Sequence, residues 1–143
     1  MKVIYEDNQI IVVEKEKRQM DIMAGTDSLS SLLSIVPPYE YVDGQDIIDE
    51  ARKRNEDPFI LILDGIEDTH ILGAILRTAE AAGVHGIIIP KRRAASVNST
   101  VSKIACGALQ YMKIARVSNI TDTINKLKEQ GIWICGTDVN TDK

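Results

Sequence analysis

Two groups of polar residues lie in otherwise apolar surroundings, and both have chemistry suited to binding phosphate. Arg77 and Thr78 lie in residues 71–82, where apolar residues recur at helical spacing. Three adjacent cations at residues 91–93 follow the apolar run at residues 86–90. A guanidinium group binds phosphate through parallel hydrogen bonds, and adjacent cations can bind a chain of phosphates. Both groups are therefore candidates for a functional site.

Each group also has a purely structural interpretation. Arg77 can form an ion pair with Glu67, Asp68 or Glu80. Three adjacent cations are usually a solvated loop. Thr78 can bond back to a carbonyl oxygen of its own helix. The ion-pair alternative is testable, because a paired arginine has a carboxylate within about 4 Å.

Apolar periodicity places both groups within alternating strands and helices. Strands joined through helices form right-handed crossovers, so the pattern predicts an α/β fold with a mostly parallel sheet and flanking helices. Ligands bind such sheets at the carboxyl ends of the strands. Arg77 is expected about one helical turn beyond the acidic loop at residues 64–68. We predict strands over residues 59–64, 86–89, 112–117 and 132–136, and helices over residues 45–55, 71–82, 99–106 and 120–130.

Composition excludes several kinds of protein. A net charge of −4 argues against binding nucleic acid through bulk charge, so any such contact must be local. No apolar run approaches the roughly 18–20 residues of a membrane helix, and no signal peptide is evident. Cys106 and Cys135 are expected to be reduced, packed thiols of a cytoplasmic protein. His70 and His85 lack a third ligand at suitable spacing, so we expect no metal.

Residues 1–36 differ in pattern from the rest and are predicted to be a small β-rich segment. Pro37 and Pro38 cannot continue regular structure, so residues 37–44 are predicted to be an extended linker. The elements predicted before the linker are strands over residues 2–5, 10–14 and 32–36 and a weak helix over residues 19–24.

Residues 32–140 closely resemble the SpoU/TrmH RNA methyltransferases of the SPOUT superfamily. The motif D-T-H-I-L-G-A-I-L-R-T-A at residues 68–79 carries the resemblance, with A-R-V-S-N at 115–119 and G-I-W-I-C-G-T at 131–137. The chain is most similar to the branch that methylates a guanosine 2′-hydroxyl of 23S rRNA. The resemblance implies a parallel α/β fold ending in a trefoil knot. It also implies methyl transfer from S-adenosylmethionine to a ribose 2′-hydroxyl, by a homodimer.

The same resemblance implies roles for individual residues. Arg77 matches the family's catalytic arginine. We expect it to clamp phosphate and help electrostatically, because a guanidinium stays protonated at neutral pH. Gly136 and Thr137 match a strand end where the family contacts its cofactor. The expected partner is RNA, bound by Lys91, Arg92, Arg93 and Lys103, with Arg116 as a further contact.

Two departures from the family pattern bear on activity. Ile71 stands where the family has asparagine, and isoleucine has no group that can hydrogen-bond a ribose. The family's G-x-E-G-x-G and I-P-M-x-G-x-x-x-S-L-N-V-S motifs, which form the knot and most of the cofactor pocket, do not occur in the sequence. Residues 45–143 are therefore expected to form a partial methyltransferase domain. Residues 1–36 are expected to be a remnant of the small RNA-binding lobe that precedes it.

Two functions from different classes follow from these observations. The first is an S-adenosylmethionine-dependent RNA 2′-O-ribose methyltransferase with Arg77 at the reacting centre. The second is an inactive remnant that binds at most RNA or a protein partner. The family motif favours the first, whereas Ile71 and the missing motifs favour the second.

Overall fold

The chain alternates strands and helices as the sequence predicts. The structure, a computed structural model, describes residues 2–6, 11–14 and 39–137. The strands are β1 (Lys2–Glu6), β2 (Ile11–Glu14), β3 (Ile60–Ile62), β4 (Gly86–Pro90) and β5 (Lys113–Val117). The helices are α1 (Gly44–Lys53), α2 (Thr69–Ala81), α3 (Ser99–Ala105) and α4 (Ile120–Glu129), with one 3-10 turn at Ala108–Gln110.

The topology of the main sheet confirms the α/β prediction. Strands β3, β4 and β5 are parallel and lie in that order. Val42 adds a single parallel bridge to Ala115 on the outer side of β5. Strands β1 and β2 pair antiparallel in a separate two-stranded sheet. The central strand of the parallel sheet is therefore β4.

The predicted elements in the described ranges agree with the structure to within two residues at each end, with one exception. The predicted strand at residues 132–136 is wrong, because residues 132–137 have no regular structure. The Ile132 N–H donates to the Leu127 carbonyl oxygen (3.1 Å), and Trp133 beyond it is 97% exposed. Apolar residues suggested a strand, but a strand also needs a neighbouring edge to pair with. The elements predicted at residues 19–24 and 32–36 lie outside the described ranges.

Helices cover both faces of the parallel sheet. One hydrophobic cluster joins Leu76 of α2 with Ile87 of β4. The other joins Ile48 of α1 and Leu127 of α4 with Ile88. Successive residues of a strand point to opposite faces, so the neighbouring isoleucines of β4 serve different clusters. As a result, β4 is buried along its whole length.

The segment before α1 is anchored to β5 through a tyrosine. The Tyr39 hydroxyl donates to the Met112 carbonyl oxygen (2.8 Å) and accepts from the Ile114 N–H (3.1 Å). Its ring meets that of Tyr41 edge to face, with 5.4 Å between the ring centres. Residues 39–43, part of the predicted linker, are thus fixed against the sheet edge.

We expect Tyr39→Phe to destabilise the fold by about 1–3 kcal/mol, because it leaves two partly buried backbone groups without a partner. The free energy of unfolding is measured by urea titration followed by far-ultraviolet circular dichroism. Tyr111→Phe is the matched control, since Tyr111 is 68% exposed. Equal stability of the two variants would contradict this role for Tyr39.

The Tyr39 hydroxyl also predicts a dependence of stability on alkaline pH. Burial raises the pKa of Tyr39 above its ordinary value of 10.0, the hydrogen bond from Ile114 lowers it, and nearby Tyr41 raises it again. The folded state therefore holds this proton more tightly than the unfolded state. The contribution is fully present below about pH 10 and is lost as the pH rises through the raised pKa. As the pH rises above about 10, the Tyr39→Phe variant should lose less stability than the unsubstituted protein.

Candidate functional site

Three loops meet at the carboxyl edge of the parallel sheet. Residues 63–68 follow β3, residues 91–98 follow β4, and residues 118–119 follow β5. The predicted cationic cluster at residues 91–93, called the basic loop below, begins the second of these. Since ligands bind open α/β sheets at this edge, the basic loop occupies the position where the fold favours a site.

Hydrogen bonds from backbone N–H groups fix residues 91–98, of which the basic loop is the first part. Its side chains at residues 91–93 are exposed, and none forms an ion pair within the ranges that the structure describes. The basic loop therefore presents three cations that no carboxylate of the described residues neutralises. Its backbone is held in place by contacts with the rest of the fold. Three backbone N–H groups of residues 91–98 donate to other elements: Lys91 to the Val117 carbonyl oxygen (2.8 Å), Ala95 to that of Ile66 (2.7 Å) and Val97 to the Tyr41 hydroxyl (2.9 Å).

Arg116 of β5 links the basic loop to the segment before α1. Its Nη2 donates to the Lys91 carbonyl oxygen (3.0 Å), and its guanidinium carbon lies 5.0 Å from the centre of the Tyr41 ring. Its Nε is buried without an acceptor among the residues described. The contact between Arg116 and RNA that the sequence suggests stays a prediction. In the structure, Arg116 positions the basic loop.

Arg77 is exposed on α2, and the ion-pair alternative for it is wrong. Among the described residues, no carboxylate lies within 4.0 Å of its guanidinium. Asp68 instead caps α2 by accepting from the N–H groups of His70 (2.6 Å) and Ile71 (3.3 Å). The Thr78 hydroxyl donates to the Ala74 carbonyl oxygen (3.0 Å), as predicted.

The position of Arg77 along α2 corrects one expectation. Helix α2 begins at Thr69, so Arg77 lies in its third turn and not one turn beyond the acidic loop. It is about 13 Å along the helix axis from the capping Asp68. Helix α2 packs on the face of the sheet opposite to α1 and α4. Arg77 therefore lies more than two turns along α2 from the end of the helix that follows the carboxyl edge of β3.

Lys103 is exposed on α3, in the layer that also contains α2. Its carbonyl oxygen accepts from the Cys106 N–H (3.3 Å) and lies 3.6 Å from the Cys106 Sγ. Lys103 thus lies on the helix that follows the loop at residues 91–98. Its predicted contact with RNA stays a prediction.

The predicted cofactor residues Gly136 and Thr137 are both exposed. A Cβ placed on Gly136 would meet no atom within 4 Å, so no neighbouring group closes around this backbone. Trp133 and Ile134 earlier in the segment are exposed as well. The residues that the structure describes therefore do not enclose a cofactor-sized cavity at Gly136. On this observation they do not by themselves fit S-adenosylmethionine.

A cleft of about 350 Å³ opens beside the basic loop, between α1 and α4. Lys91 and Arg116 line it, whereas Arg77, Gly136 and Thr137 do not. This cleft could not be predicted from the sequence, because its wall comes from separate elements with no common motif. The other lining residues are Asp43, Gly44, Gln45, Ile48, Ile88, Val117, Ser118, Asn119, Asp122, Thr123, Lys126, Leu127 and Gln130.

The structure corrects the packing prediction for the two cysteines. Cys106 and Cys135 are free thiols, but both are exposed. His85 is buried: its Nδ1 accepts from the Phe59 N–H (3.0 Å), and its Nε2 lies 2.8 Å from the Glu56 carboxylate. Both ring nitrogens are therefore used by the protein itself. Across the described ranges there is no cluster of three or more potential metal ligands.

None of the described helices combines the length and the apolar character that crossing a membrane requires.

Several known proteins are similar to this chain in sequence. The "Putative TrmH family tRNA/rRNA methyltransferase YacO" of Bacillus subtilis is 44% identical over 124 residues, which are 87% of this chain and 49% of that protein. The "Putative TrmH family tRNA/rRNA methyltransferase" of Staphylococcus aureus (strain MSSA476) is 40% identical over 135 residues, which are 94% of this chain and 54% of that protein. The chain thus spans about half the length of these curated relatives.

A solved structure of a TrmH-family RNA methyltransferase, described as putative, from Porphyromonas gingivalis is 33% identical. It matches 52% of this chain and 30% of its own, with a TM-score of 0.49. The model of the family described as "SpoU rRNA Methylase family" matches residues 58–143, which are more than half of the chain. With the sheet and the motif helix α2 inside that range, the chain belongs to the SpoU rRNA methylase family.

Proposed function

We propose that this protein methylates RNA at a ribose 2′-hydroxyl, with S-adenosylmethionine as the methyl donor and ribosomal RNA as the substrate. The basic loop carries the proposal, because it holds three exposed cations at the carboxyl edge of the sheet in a chain of the SpoU family. Cations in a fixed geometry suit a phosphate backbone, which gives affinity without reading sequence. The choice of ribosomal RNA rests on the sequence resemblance. A homodimer and a cytoplasmic location, both implied by the resemblance, complete the proposal.

Arg77 is the residue that we propose for the reacting centre. It matches the arginine of the family motif, and its exposed guanidinium has no carboxylate neighbour among the described residues. Such a group stays positively charged and can hold a phosphate through two hydrogen bonds. Its proposed work is to orient the RNA and to stabilise negative charge near the 2′-hydroxyl. The described residues leave Gly136 open, so the choice of S-adenosylmethionine as the methyl donor rests on the family.

We expect Arg77→Ala to reduce methyl transfer by at least about a hundredfold, which is the usual cost of removing one preorganised charge-stabilising group. The measurement is transfer of a tritium-labelled methyl group from S-adenosylmethionine to ribosomal RNA. Arg52→Ala on α1 is the matched control, because Arg52 is also an exposed helical arginine. Equal losses in the two variants would contradict a catalytic role for Arg77.

The second candidate is a half-domain that binds RNA without catalysis. Ile71, at the family's asparagine position, supports it because half of this apolar side chain faces solvent and it offers no hydrogen bond. Calorimetric titration of the chain with S-adenosylmethionine separates the two candidates. Saturable binding supports the enzyme. Retained RNA binding with no uptake of the cofactor at millimolar concentration supports the half-domain.

A further inference from the structure

The cleft between α1 and α4 combines an apolar floor with a cationic rim. Ile88 of β4, Ile48 of α1 and Leu127 of α4 lie beneath the cleft and are almost fully buried, so Val117 of β5, which is partly buried, provides apolar surface in its lining. The rim carries three cations, Lys91, Arg116 and Lys126, and two acids, Asp43 and Asp122, so that its lining has a small positive excess. Its volume of about 350 Å³ falls within the range of about 300–1,000 Å³ that is typical of small-molecule sites.

Among the described residues, the fold uses the guanidinium group of Arg116 but not the ammonium groups of Lys91 and Lys126. Lys126 lies one turn from Asp122 but forms no ion pair with it or with any other residue that the structure describes. The first N–H groups of α4 are already satisfied, because the Asn119 side chain accepts from Thr121 (2.9 Å) and Asp122 (3.3 Å). Lys126 therefore remains available to bind an anion, whereas the first N–H groups of α4 do not.

Both ends of the cleft are defined by side-chain contacts. At one end the Gln130 amide donates to the Gln45 side-chain oxygen (3.2 Å), which links α4 to α1 across the opening. At the other end Arg116 holds the carbonyl oxygen of Lys91. Lys91 belongs both to the basic loop and to the cleft lining. The cleft is consequently continuous with the loop proposed to contact RNA.

We propose that the cleft is a nucleotide-binding subsite. A phosphate group is held on the rim by Lys91 and Lys126, and the base packs against the partly exposed Val117 in the lining. A single nucleotide has this combination of one anionic and one flat, largely apolar part. The assignment of that nucleotide to an RNA strand rests on the proposed function, whereas binding of a free nucleotide requires only the cleft.

The first test is a nuclear magnetic resonance titration of the ¹⁵N-labelled chain with adenosine monophosphate and, separately, with a single-stranded oligoribonucleotide. We expect the amide signals of Ser118, Thr123 and Gln130 to shift with both ligands. Shifts with the mononucleotide alone would support the subsite but assign it to free nucleotides. No shift of these signals with either ligand would overturn the proposal.

The second test measures RNA affinity by fluorescence anisotropy at several salt concentrations. One phosphate contact on single-stranded RNA contributes about 0.7 to the salt slope, so Lys126→Ala should lower the slope by about that amount and weaken binding about fivefold near 0.1 M salt. Lys128→Ala is the matched control, since Lys128 is two residues away on α4 and does not line the cleft. Equal effects of the two substitutions would refute the use of the subsite by RNA.

The two tests also separate this inference from the proposed function. RNA binding that is equally insensitive to Lys126→Ala and Lys128→Ala would leave the basic loop as an RNA contact and exclude the cleft as one. Cleft shifts with adenosine monophosphate, in a chain that binds no RNA, would keep the subsite and contradict RNA binding.

Discussion

A chain with Lys91→Gln, Arg92→Gln and Arg93→Gln is expected to bind single-stranded RNA about a hundredfold more weakly near 0.1 M salt. The three side chains are exposed, without carboxylate partners among the described residues, and lie on a backbone fixed by hydrogen bonds to β5 and to Ile66. If each contacts one phosphate, its loss removes about 0.7 from the salt slope, and the three together remove about 2. Glutamine keeps the length and polarity of the side chains, so the change is mainly one of charge.

The chain contains its own control for bulk charge. Arg52, Lys53 and Arg54 are three adjacent cations at the end of α1, beside the start of β5 and thus at the opposite edge of the sheet. Their replacement by glutamine changes the net charge equally but should alter RNA affinity far less. The comparison uses anisotropy across a salt series. Equal losses would mean that the whole-protein charge, and not the basic loop, governs binding.

The largest expected effect on stability comes from Ile88→Ala. Ile88 is fully buried in the central strand, between α1 and α4. Truncating a buried isoleucine costs about 2–5 kcal/mol, because apolar contact is lost and the surrounding residues relax only partly into the cavity. Urea unfolding followed by circular dichroism measures the difference. The expected loss is a large fraction of the roughly 5–15 kcal/mol by which a typical domain is stable.

Ile71→Ala is the matched control for that experiment. It removes the same atoms from an isoleucine on α2 that is half exposed. Its cost should stay below about 1 kcal/mol, since exposed positions lose little transfer free energy. Similar costs at the two positions would contradict the packing of β4 between two helical layers.

The parts of the fold that the sequence predicts well depend on local pattern. Helix α2 has apolar residues at helical spacing and a capping aspartate, and β4 is a short run of isoleucines between a glycine and a proline. These signals act over a few residues and agree with each other. The segment at residues 132–137 has a strand-like composition too, but pairing depends on a neighbour that composition does not specify.

Only the cationic residues of the candidate site could be predicted from the sequence. The basic loop is visible as three adjacent residues, whereas the cleft joins Gln45 to Gln130, which are 85 positions apart. Likewise, Tyr39 binds β5 from 75 positions away. Such contacts follow from how helices settle on the sheet, which no local pattern encodes. Arg116 illustrates the consequence, because its charge suggested a ligand contact and its geometry shows a structural tie.

The exposure of Trp133 gives the protein a built-in optical probe. It is the chain's single tryptophan, and its indole ring is already in contact with water in the folded state. Its fluorescence should therefore change little when the core unfolds, so emission is a poor measure of stability for this protein. The same property makes it a sensitive reporter of any molecule that covers residues 132–137. A blue shift in emission would register the docking of a cofactor, a partner or a further segment against Gly136 and Thr137 before any activity is assayed.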